Sequence, residues 1–198
     1  MKVYLLLLLA FAASIALFPT DALACACCAE RGTYSISTKK PAALELDELK
    51  RIQFGTADLY TTAGYPDDIK GIGTLGENYS INALLQGVVW KFNLKDGAGK
   101  TGTLNLTKPL SMVAFMADIH DGDGTGEVSL YKEWRFKYRV QSGDGIFRNG
   151  IAPGTEYFLV LQGRGNVCTQ AEDFKNWRLE ITGKKADFAF FGDLKSPA

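Results

Sequence analysis

The chain has 198 residues with 22 basic and 22 acidic side chains, one histidine and a formal net charge of zero. That balance argues against nucleic acid and against an overall attraction to an anionic membrane surface, because neither finds an electrostatic footprint. The length suits one domain with a sizeable core, and 21 glycines with 12% aromatic residues suit many short strands joined by tight turns.

Residues 1–24 read as a secretion signal. Lys2 is a short positive n-region, Val3 to Phe18 is almost unbroken apolar sequence, and Ala22-Leu23-Ala24 matches a small-x-small cleavage pattern. The apolar run falls short of the roughly 20 residues that span a bilayer. Cleavage there leaves a single domain, 25–198, in a secreted or periplasmic compartment, with no membrane span after signal removal. It takes away Lys2 and Asp21 together, so the net charge stays at zero.

The segment 39–54 is the only one with helical character, with Pro41 at a first helical position. From there the apolar period switches to two. Strands are expected at 54–61, 79–86, 112–119, 128–140, 156–163, 177–183 and 186–192. A hairpin is expected where Val88, Trp90, Phe92 and Leu94 share one face and a glycine-rich loop leads to Leu104 and Leu106. In 128–140, Trp134, Phe136, Tyr138 and Val140 share an inward face. About eight strands with turn signals between them predict an all-β fold, a two-sheet antiparallel sandwich or jelly roll with one short helix near the N-terminus. Trp90, Trp134 and Trp177 all fall on the apolar side of their strands and are expected in the core.

Cys25, Cys27 and Cys28 lie together just past the cleavage site, and the fourth cysteine, Cys168, is remote. In an oxidising compartment the structural reading is two disulfides, with Cys168 joined to one of Cys25, Cys27 and Cys28. That bond would close a loop of roughly 140 residues and stabilise by about 4 to 5 kcal/mol on the chain-entropy model. The functional reading is a soft-metal site, because thiolates select Cu(I) or Zn. Met112, Met116 and His120 recur every four residues on one strand face and carry copper-compatible donors. If the opposite face, Val113, Phe115, Ala117 and Ile119, packs inward, the methionines point outward. Ligands four apart on a strand are about 13 Å apart, so one ion cannot take all three without a bulge.

The segment 118–127 offers a second metal reading. Asp121, Asp123 and Thr125 fit the first, third and fifth places of a calcium loop, but the twelfth place is Lys132 rather than an acid. Asp118, Asp121, Asp123 and Glu127 could still form an irregular oxygen cage, and a plain hairpin turn explains the glycines equally well.

Enzymatic readings are thin: His120 is the sole histidine, no serine sits in a nucleophile elbow, and a redox pair at Cys25 and Cys28 lacks a thioredoxin-like strand–helix unit. The sequence therefore predicts a non-enzymatic binding protein. One form takes copper or zinc, or less readily calcium, through the residues above. The other is a glycan- or protein-binding module with structural disulfides, whose exposed aromatics come from loops such as Tyr60 and Tyr65.

Overall fold

The computed structural model describes residues 32–60, 68–73, 75, 76, 78–119, 130–167 and 169–195. The elements in chain order are β1 (Tyr34–Lys39), α1 (Ala43–Arg51), β2 (Gln53–Phe54), β3 (Ala57–Leu59), β4 (Asn78–Leu84), β5 (Val89–Asp96), β6 (Thr101–Thr107), β7 (Met112–Ala117), β8 (Tyr131–Gly145), β9 (Glu156–Arg164), a 3-10 turn (Ala171–Asp173), β10 (Phe174–Thr182) and β11 (Asp187–Lys195). The strand positions follow the apolar alternation closely, and α1 falls within 39–54. No helix among the described residues is long and apolar enough to cross a membrane.

The architecture differs from the expected sandwich or jelly roll. The strands form one antiparallel sheet in the order β8-β6-β5-β4-β3-β11-β10-β9, and β9 pairs back with β8, closing an eight-stranded barrel. Apolar alternation is the same in a sandwich and in a barrel, since both bury one face of every strand. What closes the ring is the 15-residue β8. Its first part, Tyr131 to Arg139, pairs with β9 along one edge, while its last part, Val140 to Gly145, pairs with β6 along the other. A register irregularity between Asn105 and Leu106 accompanies the switch of partners. Near it Tyr138, expected inside, is exposed.

The upper part of β8 also pairs with β7, and β7 with β1, so these two strands form a flap that leaves the barrel wall. Nothing in the sequence flagged β1. All six of its residues are exposed, so it carries no inward apolar row to be read.

The barrel interior is filled with side chains. Trp90, Trp134 and Trp177 are buried as expected, and Trp90 meets Phe136 edge to face at 5.2 Å between ring centroids. Phe54 packs edge to face on both Phe92 (5.2 Å) and Trp177 (5.0 Å). The polar atoms of the buried rings are satisfied: the Trp177 indole donates to the Thr56 carbonyl and the Tyr157 hydroxyl to the Thr107 carbonyl. On β5 and β6 the outward residues are polar, Lys91, Asn93 and Lys95 beside Thr103 and Asn105, the reverse of the alternation in a lipid-embedded barrel.

Helix α1 covers one mouth of the barrel. Its Leu49 is wholly buried, and the Glu45 carboxylate accepts from the Ala42 N–H to cap the first turn. Glu48 accepts from the Ala171 N–H at 2.6 Å, and Arg51 pairs with Glu172, so the helix is fastened to the 3-10 turn.

At the opposite mouth the chain at Gly71 lies flat against Gly150. A Cβ on Gly150 would stand 2.2 Å from the Gly71 carbonyl oxygen, whereas one on Gly97 would meet nothing within 4 Å. Gly150→Ala is therefore expected to lower unfolding stability by about 1–3 kcal/mol, and Gly97→Ala to leave it within about 0.5 kcal/mol, in denaturant titrations. Equal effects would contradict the close approach.

Candidate functional site

A filled barrel leaves its outer surface as the place for chemistry. Directly opposed residues in antiparallel strands share a face, so the register defines continuous outer rows. One row runs Thr38, Val113, Arg135, Val160, Arg178, Phe191, Asp58, from β1 across β7, β8, β9, β10 and β11 to β3. The Arg135 guanidinium lies over the Phe115 ring at 5.1 Å, and that of Arg178 over Phe158 at 6.0 Å. Each arginine is also paired along its own strand, Arg135 with Glu133 and Arg178 with Glu180. Tyr34 and Tyr131 flank Phe115 at 6.0 and 6.2 Å. The result is a band of aromatic rings and planar charged groups wrapping part of the barrel.

A groove of about 620 Å³ lies at the β3 end of this band. Arg178, Glu180 and Thr182 from β10, and Asp187 and Ala189 from β11, line it, with the chain at Asp68, Ile69 and Lys70 as its wall. That wall is held by reciprocal backbone hydrogen bonds between Lys70 and Asp187, both 3.0 Å. Tyr60 borders the groove with its ring 4.2 Å from that of Phe191 and its side chain half exposed. An aromatic face beside carboxylates, an arginine and a lysine suits a ligand that is flat and apolar on one side and rich in hydroxyl groups at its edges.

Comparison of the chain with protein-family models, with curated proteins and with solved structures finds no match. The geometry alone therefore carries the functional reading.

Most of the residues singled out in the sequence lie outside the described ones: the signal segment 1–24, Cys25, Cys27, Cys28, Tyr65, His120, Asp121, Asp123, Glu127 and Cys168. Of the rest, Met112 is buried in the core and Met116 half-buried. Met116 stands opposite Lys132 and Ala114 opposite Trp134, both inward residues, so the methionine row faces inward. The opposite row, with Phe115, faces outward and forms part of the aromatic band. Of the two orientations that apolarity left open, the structure has the methionines inward, and β7 carries apolar side chains on both faces. Asp118 is buried, and its backbone bonds to Gly32 and Thr33. Among the described residues no group of three or more histidine, cysteine, aspartate and glutamate side chains is placed to hold a metal ion.

The described flanks of the two cysteine-bearing segments are nevertheless anchored on neighbouring strands, one on β7 and one on β8. Gly32, four residues after Cys28, donates to the Asp118 carbonyl at the end of β7. Val167, next to Cys168, gives its carbonyl to the Lys132 ammonium, and Lys132 is the cross-strand neighbour of Met116. Lys132 is almost fully buried and also pairs with Asp173, which fixes the chain from Gly165 to the 3-10 turn against β8. The signal that could have found Lys132 is its place in the inward period-two row with Trp134 and Phe136, a row that Lys137 does not share.

Tyr131, in the aromatic band, supplies a pH test. Burial first, and a hydrogen bond to Glu133 second, raise its hydroxyl from 10.0 to about 12. The neutral form contributes its stability in full below pH 10.0, and that contribution is lost as pH rises through about 12. Tyr131→Phe should therefore make the alkaline fall in stability shallower in that window, read by denaturant midpoints at stepped pH; an unchanged slope would contradict the burial.

Proposed function

We propose that this chain is a secreted or periplasmic, non-enzymatic binding protein that holds a glycan on the outside of its barrel. The observation that carries the reading is Tyr60, half exposed with its ring tilted against Phe191, at the edge of a groove of about 620 Å³ among Arg178, Glu180, Asp187 and Lys70. A sugar ring would lie against the tyrosine face while its hydroxyls bond to the surrounding carboxylates and cations. The band that continues through Phe158, Arg135 and Phe115 to Tyr34 favours an extended oligosaccharide over a single sugar unit.

Titration calorimetry against a panel of soluble neutral oligosaccharides tests it. Tyr60→Ala should weaken every bound sugar by about tenfold or more, equivalent to about 1.4 kcal/mol. Tyr34→Ala should weaken only the longer chains. Binding that is indifferent to Tyr60, or absent across the panel, would overturn the reading.

A second reading, a copper or zinc site built on Cys25, Cys27 and Cys28, keeps one supporting observation. The described flanks of those cysteines and of Cys168 are anchored on the neighbouring strands β7 and β8. The same proximity equally supports a disulfide from Cys168 to the cluster. A free-thiol count by mass spectrometry on native, non-reduced protein, with bound metals quantified, separates them. Two disulfides and no stoichiometric metal would leave the cysteines structural, whereas two or three free thiols with one copper or zinc per chain would make them ligands.

A further inference from the structure

A different surface surrounds the mouth covered by α1. Three aliphatic side chains stand almost fully in solvent there: Leu44 in the first turn of α1 (60% exposed), Val88 in the β4–β5 turn (79%) and Leu110 in the β6–β7 connection (76%). They are neighbours by construction. Ala43 and Val88 border one groove of about 450 Å³, and the Lys108 N–H donates to the Val88 carbonyl, which brings the Leu110 loop alongside the turn. Leu84, at the end of β4, adds a fourth half-exposed side chain.

Single exposed aliphatics need no explanation, but several on adjoining tips do. The charges around them are one-sided. Lys40, Lys91 and Lys108 ring the tips, and among the described residues none of the three has a carboxylate within ion-pair distance. The carboxylates in the same region are engaged: Asp47 with Lys50 at 2.6 Å, and Glu45, buried, with Lys39. The chain as a whole is neutral, so this excess of cations is local.

Protruding aliphatic tips within a lysine ring match the chemistry of an anionic bilayer surface. The tips enter the boundary between headgroups and acyl chains, and each lysine near the surface adds about 1 kcal/mol of attraction to anionic lipid. We infer that the α1 mouth of the barrel docks on an anionic membrane surface through Leu44, Val88 and Leu110, with Lys40, Lys91 and Lys108 against the headgroups. Docked this way, the barrel presents the Tyr60 groove, at its opposite end, away from the bilayer.

The test uses the full chain carrying Val88→Trp and reads its quenching as the difference from the unsubstituted chain, because the native tryptophans are buried but Trp90 borders the same groove as Val88. Vesicles of brominated phosphatidylglycerol should quench the added fluorescence. Vesicles of brominated phosphatidylcholine should not, and high salt or the pair Lys40→Glu and Lys108→Glu should abolish the quenching. Leu110→Trp is a second reporter should the first variant fail to fold, with circular dichroism as the check. Quenching that is absent on anionic vesicles, or equal on neutral ones, overturns the inference. So does a shift that appears without lipid and grows with protein concentration, which would assign the patch to a second copy of the chain.

Discussion

Everything in this protein depends on the pairing of β8 with β9, which turns a meandering antiparallel sheet into a ring. Without it β8 and β9 would present two long open edges, with rows of unpaired backbone donors and acceptors. With it, the inward row of each strand meets the inward rows of the other seven, and the interior fills with rings: Trp90 on Phe136, Phe92 and Trp177 on Phe54, Phe188 and Phe190 about Phe147. Eight strands leave a lumen just wide enough for such side chains. The mouths are then closed by what the chain has at hand, α1 fastened through Glu48 and Arg51 at one end and the Gly71–Gly150 contact at the other.

A filled lumen moves function outward, and the surface sorts into regions of different chemistry. The wall from β3 through β11, β10 and β9 to β8 carries tilted and arginine-capped rings with paired arginines and carboxylates, a composition for a neutral, hydroxyl-rich ligand. The α1 mouth carries bare aliphatic tips among lysines that have no ion-pair partner among the described residues, a composition for an apolar layer under negative charge. The corner where β7 ends and β8 begins is held by the buried Lys132, which donates to the Val167 carbonyl, and Gly32 bonds to Asp118 at the end of β7. The groove lies at the end of the barrel opposite the α1 mouth, while the Lys132 corner adjoins that mouth through Asp173 of the 3-10 turn that holds α1.

The strands were legible because inward rows such as Trp90-Phe92-Leu94 and Trp134-Phe136 repeat with period two, and burial enforces that period wherever the strand closes. Closure itself was not legible. It depends on which strand β8 meets at each end, and the alternation in a sandwich would look the same. β1 escaped notice because it buries neither face, and the orientation of β7 stayed open because both of its faces are apolar. At the groove, Tyr60 was visible as an exposed loop aromatic. Its partners Phe191, Arg178 and Asp187 come from strands remote in sequence, and only the register brings them together. The cysteines, the sharpest feature of the sequence, lie outside the described residues.

The most direct measurement is a side-chain NMR map of the protein titrated with a soluble oligosaccharide, following the aromatic and guanidinium resonances together. A closed, filled barrel with an external seat predicts shifts at Tyr60, Phe191 and Arg178, with the interior rings of Trp90, Phe136 and Phe92 unmoved. Shifts concentrated in those interior rings would mean that the lumen opens to admit the ligand, and would contradict both the closure and the site.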